Sequence, residues 1–127
     1  MTPIEQRNLA TLARWADTYN NAIDAMCDIY AEDCEVRSML TDMTLHGRAA
    51  LRKLEHDILA TAPQRRLEIV RAIASGDVVA VECNGVFGER TIPAVVFLTF
   101  NAAGMISSDH TYAADPTGLT QSQGKSA

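Results

Sequence analysis

Four consecutive side chains near the end of the sequence could carry out acid–base chemistry. Residues 104–115 read GMISSDHTYAAD, and within them a carboxyl, an imidazole, a hydroxyl and a phenol stand at Asp109, His110, Thr111 and Tyr112. The segment resembles a strand after a glycine turn, and a strand points alternate side chains to opposite faces. Asp109 and Thr111 then share one face, and the other two share the opposite face. Either pair could face a protected interior, so two registers are open.

The catalytic value of this strand depends on which face is buried. If Asp109 faces an apolar interior, burial raises the pKa of its carboxyl toward neutrality, where it can move a proton beside a carbonyl group. A solvated position at the rim is the structural alternative for Asp109. If the other face is buried, the His110 imidazole can act near neutral pH, although a place on the outer sheet face is the simpler interpretation. Asp109 is therefore the main catalytic candidate and His110 the alternative.

Other side chains could hold a substrate beside this acid. Tyrosine hydroxyls could donate to a carbonyl oxygen, and Arg37 or Asn84 could stabilise a developing oxyanion. Each also has an ordinary explanation, because aromatic residues pack in cores, polar strand residues face solvent, and Cys83 is a small apolar residue. The predicted substrate-binding residues are Trp15, Tyr19, Tyr30, Arg37, Cys83, Asn84, Phe97, Thr111 and Tyr112.

The composition limits the classes of protein to which the chain can belong. Its 127 residues are the length of one domain, and an apolar fraction of 47% is enough for a core. A net charge of −5 argues against a nucleic-acid partner, and the apolar runs are too short to span a membrane. The histidines and the three cysteines lack the spacing of a metal site or a disulfide framework. With no export signal or cofactor motif recognisable, we expect a cytoplasmic protein without metal or cofactor.

The spacing of apolar residues predicts helices early in the chain and strands late. The first helix begins at a capping box of Thr2 and Glu5, a second ends at Asp33, and a third covers 48–62. A loop is predicted at 41–47. The predicted strands cover 34–40, 66–73, 78–87, 92–100 and 105–113.

This order of elements predicts an α+β fold. A curved, mostly antiparallel sheet would wrap around three helices and form a cone with an internal pocket. An enclosed and largely apolar space of this kind is the usual place for a ligand. We expect one domain at 1–119 and a disordered tail at 120–127, where the residues are small and polar.

Four segments carry a resemblance to a known superfamily: WADTYNNAIDAMCDIYAEDCEV (15–36), HGRAAL (46–51), GDVVAVECNGVF (76–87) and GMISSDHTYAAD (104–115). Over residues 4–119 the chain resembles the nuclear-transport-factor-like, or cystatin-like, cone superfamily, and most closely its SnoaL-like and limonene-epoxide-hydrolase-like branches. The resemblance implies the cone fold. SnoaL-type cyclases and ketosteroid isomerases of this superfamily use a pocket carboxylate for proton transfer, which implies that role for Asp109.

The epoxide hydrolases of the superfamily offer a test of one activity. They use an Arg-x-Asp pair on the strand after a Gly-Asp turn, and an Asp just before the Tyr of the last strand. At the matching positions this sequence has Cys83, Gly85 and Thr111. That triad is absent, so epoxide hydrolysis is not expected. The same comparison implies that four residues face the pocket: Cys83, Gly85, Asp109 and Thr111.

Two functional hypotheses follow from the residues and the resemblance. The first is a small cofactor-independent enzyme that isomerises or cyclises a hydrophobic, carbonyl-bearing molecule. The second is a non-catalytic module that binds a small molecule or serves dimerisation. A second carboxylate in the pocket beside Asp109 would count against this second hypothesis. Under either hypothesis we expect a homodimer through the sheet, whose outer face would carry Val78, Ala80 or their neighbours.

Overall fold

The first helix begins at the cap that the sequence predicts. In the computed structural model, which describes residues 1–114, α1 spans Pro3–Asn21. The backbone N–H of Glu5 donates to the Thr2 hydroxyl at 3.1 Å, and the backbone N–H of Thr2 donates to the Glu5 carboxylate at 2.8 Å. This reciprocal capping satisfies two backbone donors at the helix start. The buried face of α1 carries Leu12 and Trp15 toward the sheet.

The second helix is shorter than predicted, and the strand after it is longer. Helix α2 spans only Ile23–Cys27, and strand β1 spans Tyr30–Ser38. The prediction of a helix to Asp33 was wrong because tertiary pairing prevails over local helix propensity here. The backbone N–H of Ile106 donates to the carbonyl of Ile29 at 3.0 Å and draws this segment alongside the last strand. Tyr30 thus lies on the sheet.

The strands of the described residues form one six-stranded sheet, in which β1 is joined by β2 Met43–His46, β3 Arg66–Ser75, β4 Val78–Phe87, β5 Arg90–Phe100 and β6 Ile106–Ala113. Its order is β2-β1-β6-β5-β4-β3; β1 and β6 run parallel, and every other neighbouring pair is antiparallel. The predicted loop at 41–47 contains β2, whose residues pair with β1 and are only half-buried or exposed at the edge of the sheet. Helix α3 follows at Arg48–Thr61.

The inner face of the sheet packs against the helices. Val79, Val81 and Leu98 of the sheet are fully buried, and they form one core with Trp15 and Leu51 of the helices. The expected α+β fold with a curved, mostly antiparallel sheet over three helices is confirmed, and the sheet is open, not closed into a barrel. The predicted tail at 120–127 and the end of the predicted domain at 119 lie outside the described residues.

Pairing between strands decides the register of the last strand. Asp109 lies opposite Leu98 on β5 and Val36 on β1, and both of those side chains are buried. His110 lies opposite Phe97, which is exposed. The face of β6 that carries Asp109 and Thr111 therefore looks into the molecule, and the His110 face looks outward.

Candidate active site

A cavity of about 250 Å³ lies between the helices and the sheet. Its walls are mainly apolar, with Met26 and Leu51 from the helices and Val36 and Val96 from the strands among them. This volume is slightly below the usual range for small-molecule sites, about 300–1,000 Å³. Polar groups reach the cavity at few points. They come from Tyr19, Tyr30, Arg37, Ser38, Glu55, Cys83, Asp109 and Thr111.

Asp109 is the carboxyl at the centre of a hydrogen-bond chain on the sheet wall. Only 6% of the residue is exposed. The Tyr30 hydroxyl donates to Asp109 Oδ2 at 2.5 Å, and the Thr111 hydroxyl donates to Oδ1 at 3.1 Å. The Trp15 indole Nε1 donates in turn to the Tyr30 hydroxyl at 3.0 Å. Each carboxylate oxygen thus accepts one hydrogen bond and keeps a lone pair for another partner.

Burial tunes this carboxyl toward neutrality. Removal from water raises the pKa of Asp109 from about 3.8 to about 6, although hydrogen bonds from Tyr30 and Thr111 pull it down. The negative charge of Glu55 raises it further. Burial and the neighbouring Asp109 charge hold the pKa of Tyr30 well above its ordinary value, so that phenol keeps its proton. A carboxyl with a pKa near 6 can both accept and return a proton at physiological pH.

A charged pair lies at the helix wall of the cavity, and the sequence analysis missed it. Glu55 on α3 lines the cavity and forms an ion pair with Arg65. The Arg65 guanidinium also stacks over the Tyr19 ring, 4.3 Å from its centroid. A signal for Glu55 was present, since it lies one helical turn after Leu51 on the buried stripe of α3. Nothing comparable marks Arg65, which lies in the connection after the helix.

The structure brings most of the predicted site residues to the cavity. Among them, Arg37 is exposed at the site, whereas Cys83 is buried and its pKa is raised by burial to about 11, which keeps the thiol protonated. Gly85, placed on the pocket face by resemblance, also lines the cavity. The predicted residues that line it are Trp15, Tyr19, Tyr30, Arg37, Cys83, Asp109 and Thr111.

Four predicted residues lie on the outer face of the sheet and do not line the cavity. The Phe97 and Tyr112 rings contact each other edge to face, with centroids 6.0 Å apart. A His110 ring nitrogen lies 2.7 Å from the Glu35 carboxylate. Asn84 alternates with the cavity-lining residues on either side of it on β4. The pocket positions predicted for Asn84, Phe97 and Tyr112 are corrected, and His110 has the outer-face position that was the simpler of its two interpretations. Each of the four follows or precedes an inward-facing residue, and side chains alternate along a strand.

Within residues 1–114, no group of three or more histidine, cysteine, aspartate or glutamate side chains is arranged to hold a metal ion. In the same part of the chain, no helix is both long and apolar enough to cross a bilayer.

Comparisons with known proteins agree with this fold. The model of the SnoaL-like domain family matches residues 12–108. A proposed ketosteroid isomerase from Kribbella flavida is similar in structure, with a TM-score of 0.78 and 24% identity over 87% of this chain and 80% of that one. A proposed SnoaL-like polyketide cyclase from Jannaschia has a TM-score of 0.78 and 15% identity, over 94% and 93%.

A third similar structure has a named role in biosynthesis. It is SalBIII, an epoxide hydrolase/cyclase-like enzyme of pyran ring formation in salinomycin, with a TM-score of 0.75 and 23% identity over 87% of this chain and 92% of that one. At these identities the likeness shows the fold alone. No curated protein matches the sequence.

Proposed function

The chain belongs to the SnoaL-like domain family, and from that premise we propose that it is a small enzyme that moves a proton on a hydrophobic carbonyl compound. The fold includes isomerases and cyclases among its members. One observation carries the proposal: the buried carboxyl of Asp109, whose pKa is about 6, faces an apolar cavity. An aspartate with a purely structural role in the core has no need of a cavity beside its carboxyl group.

The proposed reaction begins with Asp109 as a general base. Its carboxylate takes a proton from the carbon beside the carbonyl group, and the electron pair of that C–H bond moves onto the carbonyl oxygen as an enolate. Return of the proton to a different carbon gives an isomer. Attack of the enolate carbon on an electrophilic carbon of the same molecule gives a ring. Neither outcome consumes a cofactor, since the proton and electrons stay within the substrate and Asp109.

The enolate oxygen needs a hydrogen-bond donor that Asp109 does not already occupy. The Tyr30 hydroxyl donates to Asp109 and is engaged. Tyr19 lines the same cavity, and burial raises the pKa of its phenol to about 12, so it remains a proton donor. We assign the oxyanion to Tyr19. Arg37 is a second donor at the cavity, whereas Asn84 on the outer face is not.

Hydrogen–deuterium exchange tests the proposal without knowledge of the natural substrate. The protein is incubated in D₂O with hydrophobic ketones such as acetophenone, and loss of the proton beside the carbonyl is followed by NMR. We expect exchange above background that increases with pH around a midpoint near 6, because the base must be ionised. Asp109→Asn should abolish it, and the exposed control Asp33→Asn should not. Equal exchange by wild type and D109N would refute the assignment.

The alternative of a non-catalytic binding module has less support. It predicted a cavity without paired acids, and Glu55 lines the cavity together with Asp109.

The dimerisation expectation is independent of catalysis. We propose a homodimer through the outer sheet face, which exposes Phe97 (42%) and Ile73 (61%) beside Val95 and Tyr112. Exposed apolar residues that form one patch are typical of a protein interface.

The proposal includes a cytoplasmic location. Support comes from Cys27, Cys34 and Cys83, which are buried and free thiols. Unpaired thiols are typical of a reducing compartment.

A further inference from the structure

The Glu55–Arg65 pair has hydrogen-bonding capacity that the proposed reaction does not use. The two side chains are only 12% and 2% exposed. The Arg65 guanidinium forms an ion pair with Glu55 Oε2, but within residues 1–114 this buried oxygen and the buried Nε and Nη2 atoms of Arg65 have no hydrogen-bond partner. Buried polar atoms in proteins nearly always have partners, and one without a partner calls for a ligand or a water molecule.

The two carboxylates of the cavity differ in this respect. Both oxygens of Asp109 accept hydrogen bonds, from Tyr30 and Thr111. Glu55 lines the cavity from the helix wall, and among residues 1–114 its carboxylate receives only the contact from Arg65. A molecule that fills the cavity therefore meets a reacting carboxyl on the sheet wall and an acceptor with spare capacity on the helix wall.

We propose that Glu55 accepts a hydrogen bond from a hydroxyl group of the cavity's occupant, which makes the preferred substrate a hydroxylated hydrophobic ketone. The carbonyl part of this statement rests on the proposed function, and the hydroxyl part does not. A carboxylate can only accept, so its partner must be a donor. Arg65 already balances the negative charge of Glu55, so a neutral hydroxyl fits the site better than an ammonium group.

Arg65 is a positioning residue in this arrangement. It is not among the residues that line the cavity, and its guanidinium is held between the Glu55 carboxylate and the Tyr19 ring. The ion pair and the stacking together hold the Glu55 carboxylate in place at the helix wall. The hydrogen-bond acceptor is thereby ready before any ligand arrives.

Binding of matched ketones tests the inference. Dissociation constants are measured by NMR titration at pH 6.5 for acetophenone and for its 3′- and 4′-hydroxy derivatives. For wild type we expect the better hydroxy isomer to bind about tenfold more tightly than acetophenone, the scale of a hydrogen bond to a charged acceptor. In the double variant E55L/R65L this advantage should disappear while acetophenone still binds. Removing both charges together avoids leaving one buried charge unpaired.

A second variant identifies which carboxylate the hydroxyl meets. In D109N the hydroxyl advantage should persist even though exchange activity is lost, so failure of the proposed function and failure of this inference are distinguishable. An advantage that is lost in D109N and kept in E55L/R65L would overturn the inference, as would equal binding of all three ketones to wild type.

Wild-type protein provides a test if the double variant does not fold. Ring protons beside the hydroxyl of the bound ketone should show intermolecular NOEs to the methyl groups of Leu51 and Leu54, which line the cavity from α3. NOEs from those protons only to sheet residues such as Val96 would overturn the inference.

Discussion

Replacement of Asp109 by asparagine should stabilise the protein, and the gain should grow with pH. Burial holds the pKa of Asp109 at about 6 in the folded protein, against about 3.9 in an unfolded chain. The folded pKa is the higher one, so the folded state binds this proton more tightly. The contribution of Asp109 to stability is therefore fully present below about pH 4 and is lost as pH rises through about 6. Asparagine resembles the protonated acid and does not ionise, so its contribution to stability does not fall as the pH rises.

The magnitude follows from the two pKa values. Each pKa unit corresponds to about 1.4 kcal/mol, so complete ionisation of Asp109 costs the folded state about 3 kcal/mol. Between pH 5 and pH 8 this cost rises by about 1.4 kcal/mol. All other groups titrate in both proteins. The difference in unfolding free energy between D109N and wild type should therefore increase by about 1.4 kcal/mol over that interval.

Urea denaturation at a series of pH values measures this difference. Asp33→Asn is the matched control, because it removes the same charge from an exposed residue of β1. The difference in unfolding free energy between D33N and wild type should not show the increase with pH that is expected for D109N. Asparagine can keep the local contacts, with its amide oxygen accepting from Tyr30 and its NH₂ donating to the Thr111 hydroxyl. A D109N difference that stays constant between pH 5 and pH 8 would show that Asp109 titrates like a solvated acid, and the argument from burial would be wrong.

Two further predictions concern the support of Asp109 and the outer face. Tyr30→Phe removes the hydrogen bond that lowers the pKa of Asp109, so NMR titration of its carboxyl carbon should give a midpoint above about 6; an unchanged midpoint would contradict the role of the phenol. Phe97→Glu places a charge in the exposed apolar patch and should convert a dimer to a monomer in light scattering at micromolar concentration. Ala60→Glu, on the exposed side of α3, is the control. A monomeric wild type, or a dimeric F97E, would exclude this interface.

The elements with strong local signals were predictable from the sequence. The capping box of Thr2 and Glu5 marks the start of α1, and alternating side chains mark β4 and β5. Their order implies the α+β fold, and the resemblance points to the right superfamily. The segments that failed were short ones: α2 ends early, and β2 lies in a predicted loop. The start of β1 pairs with the distant β6, whereas β2 pairs with the neighbouring β1. In both segments strand pairing decides the conformation against the local sequence pattern.

The candidate site divides in the same way. The sequence by itself determined that Asp109 and Thr111 share one face of a strand, because alternation is a local property of extended backbone. It could not determine which face is buried. That choice depends on Val36 and Leu98, the buried neighbours of Asp109 on two other strands.

The contact between Glu55 and Arg65 likewise depends on the tertiary structure, because the path of the chain after α3 brings the two side chains together. Burial and electrostatic coupling set the pKa of Asp109 and the availability of Glu55. Both are properties of the space between helices and sheet, which exists only once the chain has folded.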